Sequence, residues 1–173
     1  MGASTSRAEE WQAASADTPR RISKSGYDIT PLTPEQREAA AAPLTDFQRA
    51  VTLKARGRPG LRGRPCAPHA QGVYVSAVGR LPLFSSEAKY DSGPGWPSFF
   101  APIDPEHVGG DQDTSIPFMP RVEVVDARSG AHLGHVFDDG PRPTGKRYCM
   151  NAAALRFIPE GEPMPEESQP VKQ

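Results

Sequence analysis

Thiols are scarce in this chain: its 173 residues hold two, Cys66 and Cys149. Cys149 lies in "KRYCMNA", a short run that reads as a strand. Side chains two apart on a strand share a face, so Arg147, Cys149 and Asn151 point one way and Tyr148 and Met150 the other, toward a core. A guanidinium beside a thiol favours the thiolate, the nucleophilic form. The same pattern also fits a thiol that simply packs, with its two polar neighbours facing solvent. "GAHLGHVFDDGP" supplies His132 and His135, which a regular strand would send to opposite faces. Gly134 between them permits a bulge that aims both at one site. A zinc centre would need further Cys or His ligands at short spacing, and the neighbouring sequence has none; an ordinary core or surface pair is the plain alternative. In "SGPGWPSFF", Trp96 is held between Gly95 and Pro97. An indole in such a rigid loop is a platform for a sulfur-bearing group, or an ordinary core tryptophan.

These side chains need short, rigid elements to bring them together, and the composition supplies them. Twenty prolines and sixteen glycines predict brief elements joined by turns. "GVYVSAV", "LPLFSS", "RVEVVDA", "AHLGHVF", "KRYCMNA" and "ALRFIP" read as strands bounded by Gly, Pro, Asp or Ser. The stretch 92–118 is too broken by Pro and Gly to predict as regular structure. Ahead of the strands, Thr33, Pro34 and Gln36 mark one helix start with a capping box, and Thr45 with Gln48 marks a second, for which Gly57 is a plausible stop. Residues 1–25 and 160–173 read as disordered tails around a domain at 26–159, with a helical leader over 30–57 and a β core over 72–159.

Twenty basic residues balance 21 acidic ones, so nothing global argues for nucleic acid or an anionic membrane as partner. The stretch 51–70 is locally basic but has no interleaved aromatic residues, which favours a solvated loop. No apolar run is long enough to span a bilayer, and the amino terminus lacks the apolar core of a signal peptide. With so few cysteines, the expectation is a reducing cytoplasm rather than a disulfide framework.

"PLFSSEAKYDSGPGWPSFF" and "RVEVVDARSGAHLGHVFDDGPRPTGKRYCMNAAALRFIP", in this order, resemble the type B methionine sulfoxide reductases. The resemblance runs from about Gly72 to Pro159 and includes the GWPSF, HLGHVF, DGP and RYCxN motifs. It implies a mainly β fold of two antiparallel sheets, tent-like or twisted and barrel-like, with short helices packed outside. It further implies a thiol-dependent reduction of methionine-R-sulfoxide in oxidised proteins, with Cys149 as nucleophile. His132, His135 and Asn151 would surround the sulfoxide oxygen, and Trp96 and Arg147 would contact the substrate. The chemistry agrees: the oxygen leaves poorly until protonated, so the attack on sulfur needs a placed proton donor, and imidazoles suit that task. Cys149 would end as a sulfenic acid, later reduced by thioredoxin or another thiol donor.

Two departures matter. Where many relatives carry two CxxC pairs on a structural zinc, this chain has Ser76, Gly79, Asp126 and Ser129, so no metal or other cofactor is expected. The resolving cysteine found before GWPSF in some relatives is Pro94 here; other relatives place one in the loop after the helices, where Cys66 lies. The resemblance thus makes Cys66 a candidate resolver, the alternative being an inert loop cysteine with Cys149 reduced directly by a small thiol or glutaredoxin-like partner. A monomer is expected. His107 in "DPEHVGG" is a further candidate for the pocket. Two other classes remain open: a different Cys–His enzyme with Asp138 or Asp139 orienting a histidine, and a non-catalytic relative that binds oxidised methionine or a partner.

Overall fold

The computed structural model describes residues 12–54, 70–93, 95–113, 117–118 and 121–172. Helix α1 spans Pro34–Ala41 and α2 spans Asp46–Lys54. Both carry the expected box. Thr33 Oγ1 accepts the Gln36 N–H at 3.2 Å, and the Gln36 side chain accepts the Thr33 N–H at 2.9 Å. Thr45 and Gln48 repeat the exchange at 3.2 and 3.1 Å, satisfying amide donors that a helix start leaves without partners. Gly57 lies outside the described residues.

The strands are β1 (Gly72–Ser76), β2 (Pro82–Ser85), β3 (Lys89–Tyr90), β4 (Ser98–Phe99), β5 (Val108–Asp113), β6 (Arg121–Asp126), β7 (His132–Phe137), β8 (Arg147–Met150) and β9 (Leu155–Pro159). They form a three-stranded antiparallel sheet, β2-β1-β9, and a six-stranded one, β3-β4-β8-β7-β6-β5. The fold is mainly β with two antiparallel sheets, as expected, but each sheet keeps two edge strands and neither closes into a barrel. Tyr74, Leu83, Phe84, Phe99, Leu133 and Met150 make the core between them, joined by Val51 from α2. Phe84 and Phe99 stack with centroids 4.3 Å apart. Removing such apolar area from water is the main force holding the sheets together.

Three regions differ from the sequence expectation, for one physical reason. Strand β5, "VGGDQD", has no apolar alternation, yet it pairs with β6 along all its length, from Val108↔Asp126 to Asp113↔Arg121. At the carboxyl end, Glu166–Ser168 form a 3-10 turn, Ser168 Oγ donates to Arg80 O at 2.6 Å, and the Arg128 guanidinium donates to Glu167 O at 2.7 Å. At the amino end, Ile22 bridges Asp28 and Ser23 is buried. In each case backbone groups or a short turn make the contact, and these leave little hydrophobic pattern to read.

His107 is part of that amino-terminal docking and not of a pocket. It is fully buried. Its Nδ1 lies 2.6 Å from Pro82 O and must donate to that carbonyl, while Nε2 is 2.9 Å from Ser23 Oγ. Tyr27 packs edge-on against the ring at 5.1 Å.

Candidate active site

Register assembles the site. In β4–β8 Ser98 stands opposite Cys149, in β8–β7 Cys149 stands opposite His135, and in β7–β6 His135 stands opposite Glu123. Directly opposed residues share a face with Cβ atoms about 5 Å apart, so Ser98, Cys149, His135 and Glu123 form a row across four strands. Tyr148 and Met150 point the other way, toward Phe84 and the core, as the alternation predicts.

His132 joins the row through a bulge. The β6–β7 register slips between Val124 and Val125, so that Gly134 pairs with Val124 but His132 pairs with Val125. One extra residue converts the three-residue spacing of the histidines into a common face. Their rings meet edge-on, with centroids 5.4 Å apart. Gly134 is required by close approach: a Cβ there would lie 2.1 Å from Cys149 O.

Arg147 shares the thiol's face, as expected, but its charge is partly spent. Its Nε and Nη2 donate to the two Asp139 oxygens at 2.8 and 2.9 Å, and its guanidinium lies 4.3 Å over the Phe137 ring. The consequence appears at Cys149, which is half-buried. Burial pushes its thiol above the ordinary value; the Arg147 charge and hydrogen bonds from Arg147 and Ser98 pull it down, Asp139 works against them, and burial prevails. The thiolate bias expected from Arg147 is present, and desolvation outweighs it. Ser98 is fully buried and its hydroxyl meets that of Ser92 at 2.6 Å.

Asn151 sits just past β8 and caps a 3-10 turn, Ala152–Ala154. Its side-chain oxygen accepts the Ala153 N–H at 3.0 Å, which commits the acceptor and leaves the amide N–H groups as donors. Trp96 is half-buried in the loop leading into β4, two residues before Ser98, whose hydroxyl lies 3.4 Å from Trp96 O. Cys66 lies outside the described residues. Asp138 and Asp139, considered as partners for a histidine, instead bind Lys146 and Arg147. The acid that does meet a histidine is Glu123, whose Oε1 is 2.7 Å from His132 Nδ1. Sequence reading missed Glu123 and Ser98. A glutamate between the valines of "RVEVVD", and the serine of the GWPSF motif itself, were the available signals.

The four positions that replace the CxxC pairs do come together. Asp126 is fully buried; its Oδ2 accepts from Ser129 Oγ at 2.5 Å and its Oδ1 from Arg128 N–H at 2.9 Å. It fills the space where a Cβ on Gly79 would stand, 2.1 Å from Oδ2. Ser76 Oγ accepts the Gly79 N–H at 3.1 Å, and Arg128 donates to Gly79 O and Asp28 O. One carboxylate with two hydroxyls does not fit zinc, which needs a set of thiolate, imidazole or carboxylate ligands. Among the described residues no group of three or more such side chains is placed to hold a metal ion.

The family model described as SelR domain matches residues 44–159. The chain is 43% identical over 145 residues to the peptide methionine sulfoxide reductase MsrB of Caulobacter vibrioides, covering 84% of this chain and 91% of the relative. The enzyme of the same name from Xylella fastidiosa is 43% identical over 141 residues, covering 82% and 90% of the two chains. Over 86 residues, half of this chain and 42% of the relative, identity reaches 60% with the chloroplastic peptide methionine sulfoxide reductase B1 of Arabidopsis thaliana.

Proposed function

We propose a mechanism from one premise: this chain belongs to the SelR-domain family, the type B methionine sulfoxide reductases. It is a peptide methionine-R-sulfoxide reductase. Cys149 is the nucleophile. Net, Cys149–SH and R₂S=O give Cys149–S–OH and R₂S: the cysteine sulfur loses two electrons, the sulfoxide sulfur gains them, and the oxygen moves between the two. The thiol proton must reach that oxygen. Because burial raises the thiol above its ordinary value, a base has to take its proton as the attack begins. His135, directly across the β8–β7 ladder, takes that part. His132 delivers a proton to the sulfoxide oxygen from the ring nitrogen that Glu123 does not hold, and Asn151 donates from its amide. The Ser98 hydroxyl supports the negative sulfur. Trp96 receives the substrate's methyl group, and Arg147 with its Asp139 partner bounds the site on the opposite side.

The observation that carries this reading is the bulge at Gly134, which brings both histidines onto the face of the thiol. The sulfenic acid is resolved by Cys66, whose thiol attacks the Cys149 sulfur and expels water; the resulting disulfide is reduced by thioredoxin or a similar dithiol. This chemistry suits a monomer in a reducing cytoplasm. No helix among the described residues is long and apolar enough to cross a membrane.

The deciding experiment is single-turnover reduction of N-acetyl methionine-sulfoxide amide by pre-reduced protein without external reductant, with the R and S epimers in parallel. About one methionine per protein from the R epimer alone, lost in Cys149→Ser, is expected. No methionine from either epimer would move the reading to a binding protein without turnover. Mass mapping of the same sample tests the resolver: a 66–149 disulfide is expected, and a sulfenic acid that persists on Cys149 removes Cys66 from the scheme.

A further inference from the structure

We propose that Glu123 is a positioning residue for this reaction, holding the His132 ring so that Nε2 is the nitrogen that gives up its proton to substrate. The proposal rests on the proton-donor role assigned to His132 above. The contact is 2.7 Å between His132 Nδ1 and Glu123 Oε1, and the two side chains are 9% and 14% exposed. A carboxylate offers only lone pairs, so the hydrogen in this bond belongs to Nδ1. The tautomer is thereby fixed. When the ring carries both protons, the one on Nε2 is free to leave and the one on Nδ1 is engaged.

Strand geometry makes this arrangement specific. Glu123 pairs across the ladder with His135, and His132 pairs with Val125, two residues further along β6. In an unbulged ladder the carboxylate would face His135 and the residue at 132 would face the core. The slip at Gly134 brings the ring of His132 diagonally over Glu123, and packs its other side against the ring of His135. With one edge bonded to a nearly buried carboxylate and the His135 ring 5.4 Å away in a T-shaped contact, His132 has little freedom to rotate. A ring turned over by half would present Nδ1 to the substrate and Nε2 to the acid; in the structure it is Nδ1 that meets the acid, at 2.7 Å. Catalytic histidines in general need a partner that settles which nitrogen reacts. In this chain neither Asp138 nor Asp139 fills that part, since both bind cations on the β7–β8 loop and β8.

The test is a double-mutant cycle on the full chain, with dithiothreitol as reductant and N-acetyl methionine-R-sulfoxide amide as substrate. Glu123→Gln keeps the size and an acceptor oxygen, but also brings an amide donor that can turn toward the ring and favour the wrong tautomer. A fall in kcat of about 10- to 100-fold is expected, with KM changed less than about threefold, because the lost interaction acts on the proton in the transition state. Glu123→Asp, which keeps the charge at a longer reach, recovers part of kcat. In the His132→Asn background, Glu123→Gln brings no further loss. Nitrogen-detected NMR of the imidazoles provides a second readout independent of turnover: His132 shows the Nδ1–H tautomer in the parent and a mixture in Glu123→Gln. Equal losses in both backgrounds, or a fully active Glu123→Gln beside a crippled His132→Asn, overturn the proposal while leaving the mechanism standing. A fully active His132→Asn instead removes the proton donor, and the proposal falls with it.

Discussion

Two buried histidines in this molecule have opposite uses. His107 spends both ring nitrogens, one on the Pro82 carbonyl and one on Ser23, and its fully buried ring fastens the amino-terminal segment to the loop before β5. His132 is nearly as buried, but the described contacts engage only its Nδ1, with Glu123. The same side chain is a clamp in one place and, in the mechanism proposed above, a reagent in the other. Burial does not separate them. What separates them is whether the described contacts leave a ring nitrogen for something other than the protein, and whether the ring shares a face of the sheet with a thiol.

The comparison breaks if the two histidines respond alike to removal. His132→Asn should lower kcat by about 10²- to 10⁴-fold, the usual contribution of a placed proton donor, and should leave the thermal midpoint nearly unchanged. Steady-state kinetics and a calorimetric melt on the same preparation check both halves. His107→Ala should do the reverse. It opens a cavity and leaves the Ser23 hydroxyl and the Pro82 carbonyl without their partner, a loss of about 2–4 kcal/mol. For a chain of this size that is a fall of roughly 5–15 °C in midpoint. Its kcat per folded molecule should stay within about twofold of the parent. A His107 variant that melts normally but turns over slowly would make the clamp a reagent too.

The sequence made His132 legible and His107 not, and the difference lies in range. The candidate catalytic face follows from alternation inside short runs: Arg147 and Cys149 two apart, His132 and His135 reconciled by a glycine that announces a bulge. The two capping boxes were equally local. The partners that define each histidine are remote: Glu123 reaches His132 from another strand, and Ser23 reaches His107 across 84 positions. Such contacts depend on register and on tail docking, which composition does not encode. The same holds for Arg147. Its spacing from Cys149 correctly puts a cation beside the thiol, but its pairing with Asp139 across the β7–β8 loop, and the desolvation of the sulfur, emerge only when the sheet is assembled.

That last point gives a smaller and sharper test. Asp139 works against the thiolate through its charge, and the carboxylate is exposed. Asp139→Asn should leave the Arg147 cation less neutralised and bring the Cys149 thiol down. The rate of alkylation by iodoacetamide at pH 7.5 should then rise several-fold, while Arg147→Met, which removes the cation, should slow it. In the parent the pH midpoint of alkylation should lie above about 8.5, the ordinary cysteine value, because burial dominates. A parent midpoint below that value would mean that the site activates its thiol at rest, and His135 would lose its role as base.

The smallest expected effect concerns the clamp's acid neighbour. Burial alone would push the Asp104 carboxyl up, but hydrogen bonds from Ser25 and from the Glu106 and Ser25 amides, with His107 nearby, outweigh it and leave Asp104 below the ordinary carboxylate value. A carboxyl depressed by folding adds stability that is present above its unfolded value, about 3.9, and is lost as pH falls through the folded one. The thermal midpoint should therefore decline below about pH 4, and Asp104→Asn should flatten that part of the curve. Ser25 donates to Asp104 at 2.5 Å while its oxygen lies 3.2 Å from His107 Nε2, so protonating the acid loosens the same segment that His107 holds. Proteolysis near residues 23–27 should then increase at low pH in the parent. The alkylation rate of Cys149, corrected for thiolate fraction, should not follow it, because the clamp bonds to Pro82, Ser23 and Ser25 and the thiol lies in a different row, opposite Ser98 and His135.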